Sequence, residues 1–153
     1  MLKAASGVLD RVLGTATNDN AAAGYVGEYT SAAVAAGSAV ALTTATTANV
    51  TSISLTAGDW DVSGIVQYTP TGTTSVTQLT QGSSSTTATL GAQGTFSKFV
   101  TAANVLGAVD PAWNLPVTRL SLAGTTTIFL VANATFTVST LTAYGIISAR
   151  RVR

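Results

Sequence analysis

From Tyr25 onward apolar and polar residues alternate with a period of two. In "SISLTAGDWDVSGIVQY", Ile53 and Leu55 alternate with Ser52 and Ser54, and "TAG" marks a turn. Beyond it Trp60, Val62, Gly64, Val66 and Tyr68 share one face, while Asp59, Asp61, Ser63, Ile65 and Gln67 share the other. Successive side chains of a strand point to opposite sides, so this stretch predicts a half-buried antiparallel strand carrying a core tryptophan. "TRLSLAGTTTIFLVANATF" repeats the device. Leu120 and Leu122 alternate with Arg119 and Ser121, Ala123-Gly124 makes a tight connection, and residues 128–132 are apolar on both faces, as in a central strand. Both segments read as hairpins. "TAYGIISARRV" predicts a further strand, and residues 34–42, 75–81 and 95–100 are weaker candidates. Threonine is frequent throughout, and β-branching favours a pleated strand over a helix. "TQGSSSTTATLGAQG" reads either as an exposed loop or as a hairpin of Ser/Thr-rich edge strands.

About eight short strands with Gly-containing turns, and no helix-length periodic segment after residue 25, predict an all-β domain: an antiparallel β-sandwich or jelly roll over residues 25–153. The first residues differ. Leu2, Leu9, Val12 and Leu13 have a roughly helical spacing and Gly14 supplies a stop, predicting a short N-terminal anchor helix over residues 1–14. A helix this short is marginal in water and needs a partner surface. Residues 15–24, with their Asn-Asp-Asn run, read as a polar linker.

Composition turns this into an assembly argument. Charged residues make up 8% of the 153-residue chain, which has a net charge of +1, against about 25% in an ordinary soluble domain. So weakly charged a surface gives little repulsion between copies, which points to a surface covered by other subunits. With no cysteine and no histidine, disulfides, thiolate chemistry, the common zinc sites and every His-dependent triad are excluded. The basic residues form no broad patch for nucleic acid. No run of about 20 apolar residues could span a membrane, and Asp10 and Arg11 interrupt any signal-peptide core.

Three groups could carry chemistry. Asp59 and Asp61 lie two apart on one strand face, about 6.5–7 Å between Cα atoms, a separation at which two carboxylates can cleave a glycoside. No ligand spacing or calcium loop accompanies them, so the preferred reading is structural: Asp59 ends a turn, and the pair keeps a sheet face polar or meets an arginine across a subunit boundary. Trp60 goes to the core, whereas Trp113, in the loop-like "VDPAWNLP", is either a receptor contact or a loop anchor. Arg150, Arg151 and Arg153 make a basic end; alternation sends Arg150 to one side and the other two to the opposite side, as solvated groups or as salt bridges to a neighbouring subunit.

"GTATNDNAAAGYVGEYTSAAV", "LTTATTANVTSISLTAGDWDVSG", "TRLSLAGTTTIFLVANATF" and "AYGIISARRVR" together resemble a family of small bacteriophage virion proteins, described as tail-fibre, head-fibre or similar surface appendages. The resemblance covers residues 14–153 and is most specific in "GYVGEY", "SLTAGDWDV" and the Tyr-Gly followed by the arginine-rich end. It implies a β-rich domain of jelly-roll type working as a homotrimer on the virion surface after assembly in the bacterial host cytoplasm. It implies no enzyme and no cofactor, and it supplies no catalytic residues. The expected function is therefore non-enzymatic: an appendage held to other virion proteins (capsid, portal, adaptor or tail) through Leu2, Leu9, Val12 and Leu13. Trp113 is its candidate contact with a host-surface glycan. Asp59, Asp61, Arg150 and Arg151 are its candidate inter-subunit contacts. A capsid decoration or cement protein, and a lectin-like module using Trp113 and the Ser/Thr-rich loop near residues 82–94, are the alternatives.

Overall fold

The computed structural model describes residues 16–106 and 109–153. The expected anchor helix, with Leu2, Leu9, Val12 and Leu13, lies outside the described residues. Ten strands follow: β1 (Tyr29–Val34), β2 (Val40–Ala41), β3 (Ala48–Leu55), β4 (Gly58–Pro70), β5 (Ser75–Ser84), β6 (Phe96–Val105), β7 (Ala112–Asn114), β8 (Thr118–Leu122), β9 (Thr126–Thr137) and β10 (Leu141–Arg151). They form two antiparallel sheets packed as a sandwich. Sheet A has the order β1-β10-β4-β7, with β2 also on β10 and β8 also on β4; sheet B has the order β3-β9-β5-β6. Among the described residues no helix is long and apolar enough to cross a membrane.

Both outer positions of sheet A are interrupted strands. β1 and β2 pair successive stretches of β10, separated by a 3-10 turn at Ala36–Ser38. The expected strand over 34–42 is therefore two pieces. Its Ala-Gly-Ser centre has no β-branched side chain to hold an extended backbone. β7 and β8 likewise share the far edge of β4, broken around Pro116, which has no N–H to give to a ladder; Leu115 N–H still reaches the Gly64 carbonyl at 2.9 Å.

The two expected hairpins are not hairpins. β3 belongs to sheet B and β4 to sheet A, so Thr56–Ala57 carries the chain from one sheet to the other; β8 and β9 are related in the same way. Three peptide steps from Leu55 to Gly58 reach about 10 Å, the spacing of packed sheets, so a turn this short serves for an arch as well as for a hairpin. Leu55 from one sheet and Trp60 from the other consequently face each other inside, at 0% and 1% exposure.

The period-two assignment of faces holds. Trp60, Val62, Val66, Tyr68, Leu141, Ala143, Ile147 and Ala149 line the inner side of sheet A, and Ile53, Leu55, Leu79, Ile128, Leu130 and Phe136 oppose them from sheet B. The buried Tyr68 hydroxyl donates to the Thr80 carbonyl at 2.8 Å and lies 3.2 Å from Gln81 Oε1. Burial pushes the phenol of Tyr68 far above its ordinary range. A tyrosine held neutral in the fold but free to ionise when unfolded withdraws stability as pH rises through the unfolded value of about 10. Chemical denaturation between pH 9 and 11 is expected to show falling stability, with a smaller fall for Tyr68→Phe than for the parent.

Candidate functional site

Seven charged residues gather at the end of the sandwich where both described chain ends emerge: Glu28, Asp59, Asp61, Arg119, Arg150, Arg151 and Arg153. Arg151 is the centre of this group. It is the register partner of Trp60 across β10 and β4, points into the sandwich, and is only 4% exposed. Its guanidinium carbon sits 4.3 Å from the centre of the Trp60 ring. Nε donates to Glu28 Oε2 at 2.8 Å, one terminal nitrogen to the Ala57 carbonyl at 2.8 Å, and the other to Thr56 Oγ1 at 2.6 Å. A planar donor fork can meet three acceptors while its face lies on an aromatic ring; an ammonium cannot. The Trp60 indole N–H donates to the Thr56 carbonyl at 2.9 Å, so ring and cation are fixed by the same turn.

Gly58 follows from this arrangement. Its φ is +134°, and a Cβ there would collide with the Arg151 guanidinium. The Gly in "TAGDWD" thus clears the space for an arginine 93 positions further along the chain.

Asp59 lies on the outer face of β4 yet is 4% exposed. Arg153 reaches its Oδ2 at 2.6 Å and Arg119 reaches the same atom at 3.4 Å. Its register partner Ser121 donates a hydrogen bond that, with Arg153 and Arg119, holds the carboxyl below the usual range. Glu28 is lowered as well, first by the Gly24 backbone N–H at 2.8 Å and then by Arg151. Of the four residues expected at a subunit boundary, Asp59 and Arg151 are bound within the chain. Asp61 and Arg150 stand side by side in register on the outer face of sheet A, and neither is in an ion pair among the described residues. Alternation separates Arg151 from Arg150 as expected, but Arg153, expected on the side of Arg151, turns to Asp59 on the outer face because β10 ends at Arg151. The Glu28 partner of Arg151, 123 residues away, leaves no local signal in either segment.

Trp113 is not in a loop. It occupies β7 opposite Val66, half-buried, and stacks on Phe99 of β6 with ring centres 5.0 Å apart and planes 23° from parallel. The pair bridges the edge strands of the two sheets, assisted by Ser97 Oγ donating to the Asn114 carbonyl at 3.0 Å. The Trp113 indole N–H is buried without a hydrogen-bond partner among the described residues. Phe99 escaped notice because β6 alternates weakly, with Val100 and Val105 on its exposed positions.

The irregular serine-threonine stretch divides. Residues 81–84 complete β5, and 85–95 form a loop tied to β3 where Asn49 bonds Thr87 and Ala88, each at 2.7 Å. Between this loop and β8 lies a groove of about 390 Å³, with Leu120, Leu122 and Ile128 beneath and hydroxyls of Ser83, Thr86 and Thr95 around it. It has no charged residue in its lining, and it opens at the same end as the chain termini. Among the described residues no three His, Cys, Asp or Glu side chains meet in a way that could hold a metal ion. Of the paired aspartates, Asp59 is bound by Arg153 and Arg119, while Asp61 is in no ion pair among the described residues.

Comparison with protein-family models, with curated proteins and with solved structures finds no match to this chain.

Arg151→Ala leaves Glu28 without its cation and uncovers Trp60, so a loss of about 3 kcal/mol is expected, or roughly 10 °C in Tm. Because the folded carboxylates of Asp59 and Glu28 titrate below their unfolded values, the stability they contribute is present above about pH 4. It disappears as pH falls through the lowered folded range. Thermal melts from pH 7 to 2 should show this acid loss, and Asp59→Asn should flatten it.

Proposed function

We propose that this chain is a non-enzymatic structural protein of the bacteriophage virion, a homotrimeric surface appendage of tail- or head-fibre type that docks on other virion proteins through its N-terminal segment. The observation that carries this reading is the polarity of the domain. Gly27 N–H bonds the Arg151 carbonyl at 2.9 Å, so the described chain enters and leaves the sandwich at one end, among most of the charged side chains of the described residues. An N-terminal anchor grips the domain by that end and projects the other.

The projecting end is made of threonine turns. Thr44 Oγ1 accepts from Phe136 N–H at 3.0 Å, Thr74 Oγ1 donates to the Thr140 carbonyl at 2.8 Å, and the Thr71 and Thr140 hydroxyls touch. Side-chain hydroxyls satisfy the turn backbone there, giving a hard tip with little charge. The fold reading is a jelly roll. What supports it is the order of the sheets once each interrupted edge counts as one strand: two four-stranded sheets, with every connection crossing between them except β5 to β6. The resemblance of "GYVGEY" and "SLTAGDWDV" to phage appendage proteins points the same way.

A decoration or cement protein is the same molecule held by the same end without a receptor. A lectin-like role for the 85–95 loop ranks lower, because its groove opens toward the anchored end, where the particle would shield it. Deletion of residues 1–14 is expected to abolish incorporation into particles while the isolated domain still folds. A purified parent protein that is a monodisperse monomer, with a deletion variant that still loads onto particles, would overturn the proposal.

A further inference from the structure

We propose that the outer face of sheet A is the surface on which further copies of this chain pack, with Asp61 of one copy paired to Arg150 of the next. The inference rests on the trimer reading and gives it a location.

The cross-strand register sorts this face into rows. Nearest the termini is Asp59–Ser121, covered by Arg153. The row Tyr29–Arg150–Asp61–Arg119 follows. Next comes Ser31–Ser148–Ser63, in which the Ser63 and Ser148 hydroxyls are 3.1 Å apart. Above it runs Ala33–Ile146–Ile65–Asn114, followed by Tyr144–Gln67–Ala112. These last three rows carry no charge, and Ile146 at their centre is 37% exposed. An uncharged face with an apolar middle and a polar border has the composition of a subunit contact.

Charge complementarity selects a second copy as the occupant. Asp61 and Arg150 are opposite charges on neighbouring strands of one row, and each lacks an ion-pair partner among the described residues. Rotation about an axis parallel to the strands keeps every row at its own height. Charged row then meets charged row, serine row meets serine row, and the Ala33–Ile146–Ile65 row closes on itself. The same rotation brings all N-termini to one end, as a common anchor requires. Four strand positions at ~4.8 Å, along the 11 residues of β10, offer about 700 Å² of face, which a cyclic trimer divides between two neighbours.

The outer face of sheet B is a poorer candidate. Thr80 and Asn133 are buried there, Gln78 bonds the Thr80 hydroxyl at 3.2 Å, Asn133 bonds Thr47 at 3.1 Å, and Lys98 stands beside Thr80. Thr80 and Asn133 are thus matched within the chain, and the Lys98 charge has no opposite charge beside it in the strand register.

The test is sedimentation of the full-length protein at several concentrations, with circular dichroism as a check on folding. Ile146→Arg and Asp61→Arg should each weaken self-association at least ~100-fold, since each buries an unmatched cation. Asp61→Arg combined with Arg150→Asp should regain it. Ser52→Arg, on the exposed outer side of β3, should change nothing, and Ser148→Lys replaces Ile146→Arg should that variant fail to fold. A parent trimer that survives both face variants overturns this interface and leaves the trimer reading intact. A parent that stays monomeric at every concentration overturns both.

Discussion

A guanidinium buried at the end of a hydrophobic core is tolerable only when every donor finds an acceptor, and Arg151 draws its acceptors from most of the fold. Glu28 precedes β1, Thr56 and Ala57 form the arch between the sheets, and Trp60 opens β4. Losing any one of these elements strands a charge in low dielectric, so the cation ties both chain ends and both sheets into one cooperative unit. The arch takes its short form, and Gly58 its open side, from the need to bring backbone and hydroxyl oxygens onto that fork. The core stops there because an arginine on an indole is its last layer.

Elsewhere the chain relies on hydroxyls where other domains use charges. Threonine side chains at residues 44, 71 and 74 close turns by bonding the Phe136 amide and carbonyl and the Thr71 and Thr140 carbonyls. Such bonds are short-range and indifferent to salt, and they hold the tip without creating a field around it. The consequence is a domain with two unlike ends: a base where most charge of the described residues gathers around Arg151, and a tip closed by hydroxyls. This asymmetry, more than any pocket, underlies the proposed role as an appendage.

The candidate site was partly visible in the residues. Alternation separated Trp60 from Asp59 and Asp61 and set Arg151 opposite Arg150, as the strands bear out. It mistook the environment of both ions. Asp59 is not on a wet surface, because Arg153 folds back over it from the chain end, and Arg151 is not a solvated terminus, because Glu28 reaches it from the other end of the domain. Trp113 likewise looked unconstrained only because Phe99, its stacking partner, comes from the opposite sheet.

What the sequence determined by itself was the direction of each side chain. Pleating is a local property of an extended backbone, so a period of two sorts core from surface without knowledge of any neighbour. Tertiary structure alone decided what lay across from each strand. "SLTAGDWDV" and "SLAGTTTIF" read as hairpins, yet each is an arch, because a turn of two or three residues spans the gap between stacked sheets as readily as the gap between paired strands. Which of the two forms depends on partners more than 60 residues distant, β10 for β4 and β3 for β9, and no local pattern encodes a contact made at that separation.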